Sequence, residues 1–155
     1  MSLKYVNIYN NLIKLTTNKR LYKGLSNQDT FEDRLVLFLI HFAFFLIVYN
    51  KKEDKQILQE IYDLNFRHLE LSIREIGYGD QSINKKMKDY VNLFHQILSD
   101  LHLWNELDKT KKEKILSNFL RNFTNIQNLT NYFDDFRGYL SKKTLNSYIK
   151  SVNNP

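Results

Sequence analysis

The stretch Leu35-Val36-Leu37-Phe38-Leu39-Ile40-His41-Phe42-Ala43-Phe44-Phe45-Leu46-Ile47-Val48-Tyr49 decides the fold class. It is apolar on every side, broken only by His41, with no glycine or proline inside it. As a helix rising 1.5 Å per residue it is about 22 Å long, short of a bilayer hydrocarbon core of about 30 Å. A helix that is apolar all round belongs inside a protein. The expectation is a central, buried helix in a soluble chain, not a membrane span.

Working outward, Asp29 or Thr30 can cap this helix, and Thr30 with Asp33 three residues on resembles a capping box. Upstream, a first helix is expected over about Leu3 to Leu15, followed by a loop from Thr17 to Gln28. Downstream, a third helix is expected from about Glu53 to Ile76. Its main stripe is Leu58, Tyr62, Phe66, Leu69, Ile73 and Ile76, at steps of three and four. Ile57, Leu64 and Leu71 form a second apolar line, bordered by the charges Asp63, Arg67, Glu70 and Arg74. That line suits either burial under another helix or docking of a partner.

Gly77 stands where a left-handed C-terminal cap belongs, Gly79 allows the reversal, and Asp80 or Ser82 can cap the next helix. This fourth helix, about Ser82 to Leu101, carries Met87, Tyr90, Phe94, Ile97 and Leu101 on one face. Lys85, Lys88 and Asn92 lie on the other. So short a turn makes helices three and four antiparallel neighbours. Ile115, Leu116, Phe119, Leu120 and Phe123 mark a fifth helix. Leu129, Phe133, Phe136 and Leu140 mark a sixth, and Leu145, Tyr148 and Ile149 a short last turn. The reading is all-α: a single-domain, irregular helical bundle of about six to seven helices spanning residues 1–155.

Composition narrows the function. The chain has 155 residues, 43% of them apolar, so one domain can build a core without staples. The absence of cysteine removes disulfides, thiolate catalysis and iron–sulfur clusters. A net charge of +6 invites contact with phosphate or anionic membrane. One alanine against many Asn, Lys, Ile, Tyr and Phe is the usage of AT-rich coding DNA, which discounts that clue. Met1 to Lys14 has no continuous apolar core or cleavage pattern, so no signal peptide is expected.

Candidate chemistry is sparse. His41 reads as a packed, hydrogen-bonded core histidine. His95 and His102 are two turns apart, and His68 lies at a different height, so no metal site is expected. Gly77-Tyr78-Gly79-Asp80 has two glycines of a phosphate loop but neither a preceding strand nor a following Lys-Ser or Lys-Thr. No serine or carboxylate pairing stands out for catalysis, and the expectation is a protein without enzymatic activity or cofactor. The clusters Lys85-Lys86-Met87-Lys88 and Lys109-Thr110-Lys111-Lys112 are too small to require sequence-specific nucleic-acid binding. They can accommodate phosphate contact.

The segment Leu69-Glu70-Leu71-Ser72-Ile73-Arg74-Glu75-Ile76-Gly77-Tyr78-Gly79-Asp80, continuing through Ser82-Ile83-Asn84-Lys85-Lys86-Met87-Lys88, resembles the signature of the ubiquinol–cytochrome c chaperone family. That signature has an acidic position, leucine-arginine-glutamate, a Gly-x-Gly-Asp turn and a basic-Met-Lys run. Phe94 matches a later aromatic, and Phe38-Leu39-Ile40-His41-Phe42 resembles the family's apolar helix with its embedded histidine. The likeness is clearest over residues 9–101. Ile73 replaces a leucine, and His95-Gln96 replaces a glycine-arginine pair.

The resemblance implies an all-helical chaperone that protects newly made cytochrome b until it joins respiratory complex III. It implies partner-binding residues at Arg74, Glu75, Asp80, Lys85 and Lys88 around a structural turn at Gly77 and Gly79. A ribosome, a small partner protein or an anionic membrane surface are further implied partners. The early start of the likeness favours a bacterial cytoplasmic protein, peripheral to the inner membrane, with the matrix side as the mitochondrial equivalent. The alternative is a generic helical module that binds protein or RNA.

Overall fold

The long apolar stretch forms the helix around which the others are packed. In the computed structural model, which describes residues 5–23, 31–77 and 79–153, it lies within α2, Phe31–Val48. The expected caps at Asp29 and Thr30 lie outside the described residues. The other helices are α1 (Val6–Leu15), α3 (Lys55–Glu75), α4 (Asp80–Leu101), α5 (Lys109–Phe119), α6 (Ile126–Ser141) and α7 (Leu145–Asn153). Short 3-10 turns at Lys19–Tyr22, Lys52–Asp54 and Trp104–Glu106 join them, and no strand occurs among the described residues.

Residues 37–45 of α2 are all buried, which requires neighbours on every side. The aromatic contacts identify them. Phe38 meets Tyr9 of α1 edge-on at 5.5 Å, and Phe42 stacks on Phe94 of α4 at 5.1 Å. Phe44 lies between Trp104 and Phe133 of α6, while Phe45 meets Tyr148 of α7. Ring pairs of this kind each contribute about 0.5–1.5 kcal/mol beyond their area.

His41 is fully buried, as expected of a core histidine. Its Nδ1–H donates to the Leu37 carbonyl at 2.7 Å, and its Nε2 accepts from the Tyr132 hydroxyl at 2.7 Å. Both nitrogens are therefore satisfied in the neutral ring. Burial lowers its pKa to about 4, opposed by the hydrogen bond to Leu37. Asp33, also buried, accepts from the Asn122 side chain and fastens the α5–α6 connection to the first turn of α2.

The loop residues explain several helix starts. Asp108 accepts from the Lys111 N–H before α5, and Asn125 accepts from the Asn128 N–H before α6. Two sequence expectations need adjustment. Phe123 lies beyond the end of α5, although it remains buried, and the expected short last turn is a nine-residue helix. Ile61 and Asn65, outside both apolar lines assigned to α3, are fully buried as well. The buried arc of α3 is wider than its main stripe because α1, α2 and α4 all cover it.

Contacts between Phe66 and Phe94 and between Tyr62 and His95 run in opposite senses along α3 and α4, so the two are antiparallel as expected. The Tyr90 hydroxyl donates to Glu32 at 2.8 Å and Lys86 lies 3.8 Å from the same carboxylate, which sets the start of α2 beside the first half of α4. The α3–α4 turn therefore lies at the same end of the bundle as the start of α2.

Candidate functional site

The turn is built by the two glycines assigned to it. Gly77 adopts φ +99°, a left-handed conformation open to glycine at little cost, and its N–H donates to the Arg74 carbonyl. Gly79 is extended and occupies the N-cap position of α4, its carbonyl accepting from the Ile83 N–H at 2.9 Å. This corrects the expected cap. Asp80 is the first residue of the helix and Ser82 its third, so neither stands at the capping position.

Arg74 and Glu75 form the last turn of α3, both exposed. Arg74 pairs with Glu70 at 3.4 Å, one step of the ladder seen in the sequence. Glu75 faces Tyr9 closely enough that, after burial, its charge helps raise the tyrosine pKa. Tyr9 also stacks on His68 and hydrogen-bonds Ser72, so polar and aromatic groups together hold this end of α3 to α1.

Lys85 and Lys88 are exposed, three residues apart on the outward face of α4. Neither forms an ion pair among the described residues. The intervening Lys86 instead turns to Glu32 at 3.8 Å. The second basic cluster is divided in the same way: Lys112 pairs with Asp134 at 2.9 Å and lies over the Trp104 ring. Neither run is a uniform basic face. Exposed pairs of this kind contribute about 0–1 kcal/mol.

Beside these charges stand apolar groups with incomplete cover. Leu71 is 50% exposed and Ile76 53%. The second apolar line thus splits, with Leu64 buried, Ile57 half-buried and Leu71 open. Ile76, the last residue of the expected main stripe, lies just past the end of α3, where the chain turns away. A groove of about 230 Å³ continues from this end between α1, α2 and α3. Its apolar lining includes Tyr9, Phe31, Leu35, Phe38 and Leu69, with Ile13, itself 38% exposed, at its edge.

The structure thus gathers Arg74, Glu75, Gly77 and Gly79 at one end of the bundle, with Lys85 and Lys88 following on the outer face of α4. The groove was not legible, because it depends on how α1 crosses the start of α2. At the opposite end, a cleft between the end of α2, the start of α3, the end of α4 and α6 was missed entirely. It is bordered by Arg137, whose Nε is buried without a hydrogen-bond partner. Leaving such a donor unsatisfied costs about 1–3 kcal/mol or more. No group of three His, Asp or Glu side chains is placed to hold a metal ion among the described residues. No helix among them is long and apolar enough to cross a membrane.

Comparison with known proteins places residues 23–125, about two thirds of the chain, under a family model described as Ubiquinol-cytochrome C chaperone. That stretch runs from the residues before α2 to those before α6 and contains the whole α3–α4 turn. No curated protein and no solved structure matches the chain.

Proposed function

Since the chain belongs to the ubiquinol-cytochrome C chaperone family, we propose that it is a non-catalytic assembly factor for respiratory complex III, covering newly made cytochrome b until assembly. The family match is the observation that carries this reading. The client on this reading is a set of apolar membrane helices that needs temporary cover outside the bilayer. The α3–α4 end supplies suitable chemistry: half-exposed Leu71 and Ile76, the neighbouring groove, and charges on both flanks. Apolar contact would supply affinity, since burying one such side chain contributes about 1.5–3 kcal/mol. Arg74, Glu75, Lys85 and Lys88 would select the polar segments between client helices or meet an anionic surface, either membrane or ribosome. Work at the cytoplasmic face of a bacterial inner membrane, or its matrix equivalent, accords with the same reading.

The test is site-specific photocrosslinking from positions 71 and 76 during synthesis of the client, with mass spectrometry of the adducts. Cytochrome b enriched over other membrane proteins, and lost in a folded Arg74→Glu/Lys85→Glu double variant, is the expected result. Adducts without cytochrome b, or a yield unchanged by the charge reversal, would replace this reading with that of a generic binding module.

A further inference from the structure

We infer that the cleft at the end of the bundle opposite the α3–α4 turn binds a small anionic amphiphile: a carboxylate or phosphate head on a single apolar chain. The site goes beyond the assembly reading, and its Arg137 lies outside the stretch that carries the family match.

The cleft has a volume of about 740 Å³, within the range of about 300–1,000 Å³ usual for small-molecule sites. Its apolar side is formed by Leu46 and Ile47 of α2, Leu58 of α3 and Leu98 of α4. Its charged lining is of one sign. Lys55 and Arg137 border it together with His102, and no carboxylate lines it. Asp63, the acid nearest in the hydrogen-bond network, accepts from Gln59 and is not part of the lining.

Arg137 is the informative group. Its side chain makes no hydrogen bond or ion pair among the described residues, and its Nε is buried. The same helix shows that cations here find acids where acids are offered. Asp134 is taken by Lys112 at 2.9 Å, and Asp135 by Arg20 at 2.8 Å. Arg137, two residues further on, has no such partner and faces the cleft instead. A guanidinium presents a planar fork of donors that matches a carboxylate or phosphate. An anionic head there would supply the acceptor that the fold does not, with Lys55 as a second charge and the leucines receiving the chain.

The experiment is calorimetric titration of the full chain with decanoate, decyl phosphate, decanol and inorganic phosphate, each kept below its aggregation concentration. At least one decyl anion should bind with one-to-one stoichiometry, about tenfold or more tighter than decanol, which has the chain without the charge. Inorganic phosphate, which has the charge without the chain, should also be weaker. The tighter of the two anionic heads distinguishes a free carboxylate from a phosphate ester as the source. Arg137→Gln should weaken the anion about tenfold while leaving decanol unchanged. Ser99→Glu, a change at an exposed residue of the cleft, should weaken it by repulsion and supplies an independent test if Arg137→Gln does not fold. Equal affinity for decanol and the anions, or anion affinity indifferent to the folded variants, would overturn the inference. Crosslinking at positions 71 and 76 is a separate readout, so failure here and failure of the assembly reading can be told apart.

Discussion

Helix α2 and the tip of the α3–α4 hairpin carry similar side chains, bulky apolar groups with a few titratable ones among them, and treat them in opposite ways. In α2 every ring between Phe38 and Phe45 meets another ring, and His41 has both nitrogens bonded. At the hairpin tip Leu71 and Ile76 remain half open, and Lys85 and Lys88 project from the outer face. The family match covers both regions. The difference teaches that a shared motif can mark packing in one place and an available surface in another. Only the neighbours distinguish them: α2 has helices on all sides, whereas the tip has none beyond it among the described residues.

The contrast can be broken at either end. The largest effect is expected from Phe42→Ala, which empties a fully buried site and removes the stack on Phe94. It should cost about 3–5 kcal/mol in chemical denaturation. A loss below about 1 kcal/mol would mean that α2 is not the rigid centre.

Next comes acid sensitivity. The folded chain keeps His41 neutral down to about pH 4, whereas the unfolded chain takes up a proton near pH 6.5. More protons are bound by the unfolded state in that window, so stability falls as the pH drops from 6.5 towards 4, by about 3 kcal/mol. Urea titrations across this range should show the slope, and His41→Gln should remove it. A slope that survives the substitution would assign the loss to other groups.

At the hairpin the expected effects are smaller. Gly77→Ala places a side chain at φ +99° with no atom nearby to clash, so the cost is backbone strain alone, about 1 kcal/mol. Thermal melting would measure it. Smallest of all should be Leu71→Ser or Ile76→Ser, each within about 0.5 kcal/mol of the parent in stability. Client capture should nevertheless fall in both. A marked loss of stability from either would turn the tip from a surface into part of the core.

Much of this molecule could be read before it was folded. The burial of α2 comes from its having no polar face. The antiparallel hairpin comes from two long periodic segments joined by a few residues, and the place of Gly77 from the end of a helical stripe. The site was legible in part. Arg74, Glu75, Gly77, Gly79, Lys85 and Lys88 stand at or near one end of the bundle, while the capping position fell to Gly79 and not to Asp80. Ile76 shows what periodicity leaves open: it reports the face a residue occupies, but not whether a neighbour reaches it.

Periodicity, glycine placement and the absence of cysteine thus determined the helices, the turn and the excluded chemistry, because these depend on residues close in the chain. Tertiary structure alone decided which ends stayed open. It brought Tyr132 to His41 across 91 residues and Asp134 to Lys112 across 22. It also brought Arg137 to a cleft whose apolar side comes from three other helices. Those pairings depend on how the helices cross, and helix crossing is set by the packing of whole faces rather than by any local pattern of residues.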